Sequence, residues 1–201
     1  NMTLCEGQST TLRATGGISY EWDDGTPSAM ITVNTTGTYT VTATNTYGCT
    51  ATASATVLVN AAPVVNILGQ TTICRGEEVT LTAITTAGTY NWNSGQNTAA
   101  ISVSPAQTSN YMVLVTDENG CTATASTQVT VNALPSAFVG GPTSICQGDT
   151  TVLTASGGAA YQWSTGHFDD HITVTATGDY SVTVTGANGC TAVVQKAVAV
   201  N

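Results

Sequence analysis

Apolar and polar residues alternate with a period of two along most of the chain. Between residues 79 and 83, valine, leucine and alanine fall on one face and two threonines on the other. The segments 90–92, 101–103 and 111–115 alternate in the same way. This period, with abundant Val and Thr, is typical of half-buried β-strands. Turn sequences such as SGQN and DENG separate the segments and no helical period appears, so the sequence predicts an all-β fold.

Three copies of one unit make up the chain, each close to 70 residues long. Every copy contains a cysteine, then a tryptophan, then a tyrosine, then a second cysteine within Gly-Cys-Thr. The matching positions are Cys5, Cys74 and Cys146; Trp22, Trp92 and Trp163; Tyr39, Tyr111 and Tyr180; and Cys49, Cys121 and Cys190. The tryptophans and tyrosines have the phase of core residues. We predict three β-sandwich domains of six or seven strands each, at 1–60, 61–132 and 133–201.

The joins between copies are short and contain proline. The sequences ATVLVNAAPVV and VTVNALPSAFV carry a strand almost directly into Pro63 or Pro135, which predicts stiff joins and an end-to-end rod. The second and third copies open with APVVNILGQ and ALPSAFVGG, whereas the first has only four residues before Cys5. We therefore expect the first strand of copy 1 to be missing from this sequence or supplied by another chain.

Several motifs resemble the immunoglobulin fold. VTLTA, YNWN and SNYMVLV are similar to its strand B, its strand C with a core tryptophan, and its strand F with a tyrosine corner. The usual core disulfide is absent, because other residues stand at its two positions. These residues are Ala14, Ala83 and Ala155 on strand B, and Val41, Val113 and Val182 on strand F.

The fuller pattern, ICxG–VTLTA–YxW–GxYxVxV–NGCT–VTVN, resembles the tandem immunoglobulin/PKD-like repeats of giant type IX-secreted surface adhesin or filament proteins of Bacteroidota. The resemblance covers the whole chain. It implies export by the type IX pathway and display at the cell surface, in stalks, adhesins or filaments.

The position of the cysteines in this topology suggests how they pair. DENGCT would form the F–G hairpin, with Asn119-Gly120 suited to a type I′ turn, and ICRGEE the A–B corner at the opposite end of the sandwich. These ends are roughly 20 Å apart, whereas a disulfide needs Cα atoms within about 7 Å. Bridges across the joins are therefore favoured, and pairing within each copy stays open as the alternative. The favoured pairs are Cys5–Cys121 and Cys74–Cys190, which leave Cys49 and Cys146 for adjoining repeats.

Composition excludes several classes of partner. Only 7% of residues are charged, and three basic residues against twelve acidic ones give a net charge of −9. Nucleic acid and anionic membrane surfaces need clustered Lys and Arg, so neither is expected. No apolar run is long enough for membrane insertion. So little surface charge suggests instead that flanks are covered, as in a lateral homo-oligomeric bundle or filament.

Few residues are candidates for chemistry. GHFDDH offers His167, Asp169, Asp170 and His171 as a weak metal site, and its counterparts in the other copies carry no such residues. WDDGT, at 22–26, is better explained as an acidic turn than as a calcium loop. Lys196 has an inward phase in the last strand, where a bulge or an edge is expected. Sequence motifs make Asn1, Asn34 and Thr150 candidates for glycosylation.

No nucleophile elbow, catalytic Ser/His/Asp set or phosphate-binding loop is present, so we expect no enzyme activity and no cofactor. Paired cysteines without a CxxC motif favour an oxidising, extracellular location. The predicted role is a structural stalk or filament segment that gives reach and stiffness for adhesion or attachment. The alternative is a glycan- or protein-binding module that uses loops at domain ends, where Tyr47 and Phe168 are the loop aromatics.

Overall fold

The computed structural model describes residues 1–86 and 88–201, and within them it contains strands and no helix. The all-β prediction is confirmed. The strands are β1 (Met2–Cys5), β2 (Thr10–Arg13), β3 (Ser19–Trp22), β4 (Met30–Val33), β5 (Gly37–Thr44), β6 (Thr50–Asn60), β7 (Asn66–Leu68), β8 (Thr72–Cys74), β9 (Val79–Ile84), β10 (Thr89–Trp92), β11 (Ala100–Val103), β12 (Ser109–Thr116), β13 (Thr122–Asn132), β14 (Phe138–Gly140), β15 (Ser144–Ile145), β16 (Thr151–Ser156), β17 (Ala160–Trp163), β18 (His171–Val174), β19 (Gly178–Thr185) and β20 (Thr191–Val200).

The same strand order recurs in each third of the chain. The larger sheets are β1-β6-β5-β3, β10-β12-β13-β8 and β15-β20-β19-β17. The smaller ones are β2-β4, β11-β9-β7 and β14-β16-β18. Two sheets per repeat, with the tryptophan strand at one edge of the larger sheet, give tandem immunoglobulin-like sandwiches. The first repeat lacks a counterpart of β7 and β14, as expected from its short start.

Contacts divide the chain into two compact units. One contains Asn1–Leu68, Thr82–Ile101 and Tyr111–Ser126, and the other contains Gly69–Leu81, Ser102–Asn110 and Thr127–Asn201. Each unit contains one of the two joins between sequence repeats. The boundaries of the units therefore do not coincide with the joins. The domain limits proposed from the sequence stay a prediction.

The cores follow the two-residue period. In the first repeat, Leu12, Ile31 and Val33 of the small sheet pack with Trp22 and Val41 of the large one. In strand β4, Ile31 and Val33 are buried and their neighbours exposed, because successive side chains point to opposite faces. The third repeat has the same arrangement around Trp163, with Leu153 and Val182 fully buried.

The tryptophan of each repeat fixes the loop that follows it. The indole N–H donates to a backbone carbonyl six residues later, at 2.8 Å for Trp22, 2.9 Å for Trp92 and 3.0 Å for Trp163. All three rings are at most 4% exposed. Burial of the ring thus positions a loop whose sequence differs between repeats.

The tyrosine corner expected from the immunoglobulin resemblance is present. The hydroxyl of Tyr39 donates to the carbonyl of Thr35 at 2.9 Å, and that of Tyr180 to the carbonyl of Ala176 at 2.9 Å. Val41 and Val182, two residues further on, are buried in the cores. Packing of aliphatic side chains therefore replaces the core disulfide.

One predicted turn type is wrong. A type I′ turn at Asn119-Gly120 needs positive φ at both residues, but Gly120 (φ 80°) has it and no described non-glycine residue does. The N–H of Gly120 donates to the carbonyl of Asp117, and the N–H of Asp117 to the carbonyl of Cys121. This is a type I turn closed by a left-handed glycine, one residue longer than the predicted loop.

The environment of Lys196 is the sheet edge, one of the two alternatives expected from the sequence, and not the bulge. Lys196 pairs with Tyr180 in an unbroken register from Gly178–Val198 to Thr185–Thr191, so the expected bulge does not occur. The other side of β20 pairs with β15 only from Ala199 onward. Lys196 therefore lies on a sheet edge, where its ammonium group can reach water.

Candidate functional site: the disulfide-linked joins

A parallel strand pair brings the first cysteine of a repeat to the end of its last strand. β1 pairs in parallel with β6, which places Cys5 opposite Asn60. β8 pairs likewise with β13, which places Cys74 opposite Asn132. The second cysteine of the first repeat, Cys49, precedes the start of β6. Eleven residues at about 3.3 Å each separate the ends of that strand by roughly 35 Å, so cysteines of one repeat cannot meet.

The first disulfide joins Cys5 to Cys121, with Cα atoms 5.4 Å apart. The Cys121 side chain is fully buried, and its sulfur lies 4.0 Å from the carbonyl oxygen of Asn60. The N–H of Glu6 donates to the same carbonyl at 2.8 Å. The bridge therefore crosses directly over the point where β6 ends and the proline-containing join begins.

The second disulfide joins Cys74 to Cys190, with Cα atoms 5.6 Å apart. Cys190 is 1% exposed. The amide of Asn188 donates to the carbonyl of Ala133, two residues before Pro135, at 2.9 Å. A side chain from the cysteine turn thus holds the join itself. The same position of the turn is Tyr47 in the first repeat and Asn119 in the second.

A side-chain oxygen in the turn sets the direction of each turn cysteine. Asp117 accepts hydrogen bonds from the N–H groups of Asn119 and Cys121 at 2.9 and 2.8 Å. Asn45 does the same for Tyr47 and Cys49 at 2.9 and 3.0 Å. The unbridged Cys49 therefore occupies the same turn geometry as the bridged Cys121.

The remaining two cysteines, Cys49 and Cys146, are free thiols and are exposed. The carbonyl of Cys146 accepts the N–H of Asp149 at 3.0 Å, as the carbonyl of Cys5 accepts the N–H of Gln8 at 2.9 Å. The bridges are those of the cross-join scheme, and the alternative of pairing within each repeat does not occur. Both free thiols occupy positions equivalent to bridged ones.

The two bridges enclose overlapping stretches of chain. Each spans 116 residues of sequence. Cys74 lies inside the first loop and Cys121 inside the second. A pull on the two termini is therefore carried by three parallel covalent routes between the bridges, two of about 69 residues and one, Cys74 to Cys121, of about 47, instead of one route of about 185.

The GHFDDH loop does not gather its polar side chains into one site. His167 Nδ1 lies 3.0 Å from the Thr165 hydroxyl, whereas His171 Nδ1 lies 2.7 Å from an Asp170 oxygen. Asp169 contributes its backbone carbonyl to the Trp163 indole. In the described part of the chain, no group of three or more His, Cys, Asp or Glu side chains could hold a metal ion. The loop caps the tryptophan, as its counterparts do.

The Asp170–His171 pair makes one pH-dependent prediction. The hydrogen bond that the protonated His171 ring donates to the Asp170 carboxylate raises the pKa of His171 above its ordinary value. Because the pKa of His171 is raised in the folded state, its contribution to folding stability is fully present below the ordinary histidine pKa. That contribution is lost as pH rises through the raised pKa. We expect Asp170→Asn to lower the His171 pKa, measured by NMR titration of the ring. Asp179→Asn, an exposed carboxylate on β19, is the control, and equal effects from both variants would contradict the pairing.

The other candidate residues stay separate from the joins. Asp24 accepts the N–H of Thr26 at 2.8 Å, which holds the pKa of Asp24 below its ordinary value and explains WDDGT as a turn. Asn1, Asn34 and Thr150 are exposed, and their glycosylation stays a prediction. No helix in residues 1–86 or 88–201 is long and apolar enough to cross a membrane.

Comparison with known proteins gives distant structural similarity only. No protein-family model and no curated relative matches the chain. A three-domain fragment of titin, I67–I69 in an E-to-A variant, is 14% identical over 100% of this chain and 95% of that one, with a TM-score of 0.47. A Ca2+-stabilized adhesin of an Antarctic bacterium is 15% identical over 99% and 71%, with a TM-score of 0.41. Immunoglobulin domains 1–4 of Sidekick-1 are 14% identical over 99% and 73%, at 0.35. At TM-scores below 0.5, these similarities carry no argument about this chain's role.

Proposed function

We propose that the chain is a load-bearing stalk or filament segment of a large extracellular surface protein. The observation that carries this proposal is the pair of overlapping bridges, Cys5–Cys121 and Cys74–Cys190. Each bridge links one repeat to the next, whereas a disulfide that only stabilised a small domain would lie within it. Disulfides also persist only in oxidising surroundings, which fits an extracellular location. The role needs neither catalysis nor a cofactor.

The proposal extends to the neighbours of the segment. Cys49 and Cys146 match bridged cysteines in position and are exposed, so they are suited to the same bridges with adjoining repeats of this kind. Such repeats would continue an end-to-end rod with one staple at every join. Attachment to the surface of a member of the Bacteroidota through type IX secretion is the setting that the sequence resemblance favours.

Lateral assembly is the second part of the proposal. Apolar side chains such as Val64, Phe138 and Val193 are 73%, 62% and 69% exposed on strands or joins, while only 7% of all residues are charged. Identical rods packed side by side would cover such surface. A monodisperse monomer at high concentration would contradict this part and leave the load-bearing role untouched.

Extension under force tests the load-bearing role. We tether the oxidised chain by its two termini and pull it in a single-molecule force experiment. With both bridges intact, the shortest covalent path runs from Cys5 to Cys121, back along the chain to Cys74 and across to Cys190. This path contains only about 64 residues, which limits the extended length to roughly 230 Å at about 3.5 Å per residue. After reduction, all 201 residues can extend to roughly 700 Å.

Control variants distinguish the effect of the two bridges on extension from any effect of the free thiols. Replacement of Cys49 and Cys146 by serine should leave the oxidised extension unchanged, whereas Cys121→Ser should lengthen it. If the oxidised and reduced chains extended equally, the bridges would bear no load and the proposed function would be wrong.

A binding module at the domain ends is the second candidate. The observation in its favour is the exposure of two loop aromatics, with Tyr47 at 89% and Phe168 at 70%. Aromatic side chains at loop tips are common contacts in recognition surfaces. Loss of attachment to target surfaces on Tyr47→Ser or Phe168→Ser, with extension under force unchanged, would favour this candidate over the mechanical one.

A further inference from the structure

The cysteine turns of the second and third repeats have nearly the same backbone. Each contains an Asn-Gly pair directly before its cysteine, and these are the two Asn-Gly pairs of the sequence. Gly120 and Gly189 both have positive φ, 80° and 81°. The N–H of Gly120 donates to the carbonyl of Asp117 at 3.1 Å. The N–H of Gly189 donates to the carbonyl of Gly186 at 3.0 Å. The two pairs therefore differ in their side chains and not in their turn.

The two asparagine side chains have different contacts. The Asn188 carboxamide is held at both ends, because its amide donates to the Ala133 carbonyl at 2.9 Å and its oxygen accepts the N–H of Cys190 at 3.1 Å. Asn119 is exposed. Its backbone N–H is hydrogen-bonded, but its carboxamide makes no hydrogen bond within residues 1–86 and 88–201. The Asn119 side chain can therefore rotate, whereas rotation at Asn188 breaks two hydrogen bonds.

The first residue of the turn decides this difference. In the second repeat the Asp117 carboxylate accepts the N–H of Cys121 at 2.8 Å, so the asparagine is not needed for that contact. In the third repeat the first residue is Gly186, which has no side chain, and the Asn188 oxygen accepts the cysteine N–H instead. A Cβ atom at Gly186 would lie 2.9 Å from Asn188 Oδ1. A side chain there would displace the carboxamide.

Asparagine before glycine is prone to deamidation, because glycine has no side chain to hinder approach to its backbone nitrogen. That nitrogen attacks Cγ of the asparagine. The N–Cγ bond forms, the Cγ–Nδ2 bond breaks, and ammonia leaves with the proton of the backbone nitrogen. Water then opens the cyclic imide at either carbonyl, which gives aspartate or isoaspartate. One water is consumed and one ammonia released, without oxidation or reduction. The carboxamide must turn toward the glycine nitrogen for the attack, so hydrogen bonds that fix it slow the reaction.

We propose that Asn119 is a site of spontaneous deamidation by water and that Asn188 is protected from it. The product at Asn119 adds a carboxylate to the turn, and its isoaspartate form adds one bond to the main chain that positions Cys121. Asn119 and Pro63 line the same depression, so this change occurs beside the first join. The second join keeps the amide that holds it. The inference stands independently of the load-bearing role.

Incubation of the oxidised 201-residue chain at mildly alkaline pH tests the proposal, since loss of the backbone N–H proton speeds the attack. Peptide mapping by mass spectrometry measures deamidation at each site, and enzymatic methylation of isoaspartate measures that product. In the folded chain, Asn119 should react at least about tenfold faster than Asn188, because reaction at Asn188 must first break two hydrogen bonds. The reduced chain in urea is the control. Both pairs are followed by Cys-Thr, so their rates should there be similar.

Exchange of the first turn residue tests the cause of the protection. Gly186→Asp fits the backbone, because Gly186 does not have a positive φ. It supplies the carboxylate found in the second repeat, displaces the Asn188 carboxamide and should raise the deamidation rate at Asn188 at least about tenfold. Ala187→Glu is the matched control, because it copies Glu118 at an exposed position and leaves the hydrogen bonds of Asn188 in place. It should leave the rate at Asn188 unchanged. Amide exchange of the core strands checks that both variants are folded.

Any of three results would show the proposal to be wrong. The first is an equal rate at Asn119 and Asn188 in the folded chain. The second is no reaction at Asn119 in the folded chain while the chain in urea reacts, which would mean that the turn itself protects the pair. The third is an unchanged rate at Asn188 in folded Gly186→Asp.

Discussion

Loss of the Cys5–Cys121 bridge should destabilise the first join and the repeats on either side of it by about 3–5 kcal/mol. The bridge closes a stretch of 116 residues, so its removal restores much conformational freedom to the unfolded chain. The double variant Cys5→Ala with Cys121→Ala removes it without leaving a new free thiol. Urea unfolding followed by tryptophan fluorescence should show a lower midpoint. The tryptophans serve as local probes, because each repeat contains one.

The free cysteines provide the matched control for this prediction. Cys49→Ala with Cys146→Ala changes two exposed residues of the same type and should shift stability by no more than about 0.5 kcal/mol. Because the two bridged stretches overlap, the effects of removing both bridges should not be additive. An unchanged midpoint in the bridge variant would mean that contacts at the join, such as that of Glu6 with Asn60, hold the repeats without covalent help.

Truncation of the core tryptophan should lower the free energy of unfolding by a similar amount. Trp163 is 2% exposed and packs between the two sheets of the third repeat. Trp163→Ala should cost about 3–5 kcal/mol of unfolding free energy, since it removes a large buried ring and leaves a cavity. It also removes the hydrogen bond from the indole to the Asp169 carbonyl, so the loop at 166–171 should lose its fixed position. Urea unfolding measures the first effect, and amide exchange of the loop measures the second.

A conservative variant separates packing from the hydrogen bond. Trp163→Phe keeps an aromatic ring in the core but removes the N–H donor that meets Asp169 at 3.0 Å. We expect a smaller loss of stability with much the same increase in loop exchange. His167→Ala in the same loop is exposed and should change stability by less than about 0.5 kcal/mol. If Trp163→Phe were as unstable as Trp163→Ala, the anchoring bond would outweigh the packing.

The local features of the fold could be predicted from the sequence because they depend on near neighbours. A two-residue period places Leu153 and Ala155 on one face of a strand whatever its partners are. The repeated Trp and Tyr positions specified the core of each sandwich. The cross-join pairs of cysteines followed from strand length, because cysteines at opposite ends of a strand such as β6 lie too far apart for a bond.

Only the tertiary structure decided the features that depend on distant partners. The parallel pairing of β1 with β6 aligns Cys5 with Asn60. Because the paired residues are 55 positions apart, no local sequence pattern specifies their register. The turn at 117–121 is type I because the Asp117 carboxylate binds two of its N–H groups, which outweighs the preference of Asn-Gly for another turn. The missing first strand could be counted from the sequence. Which strands it joins in the later repeats depends on the sheet order, since β7 pairs with β9 and β14 with β16.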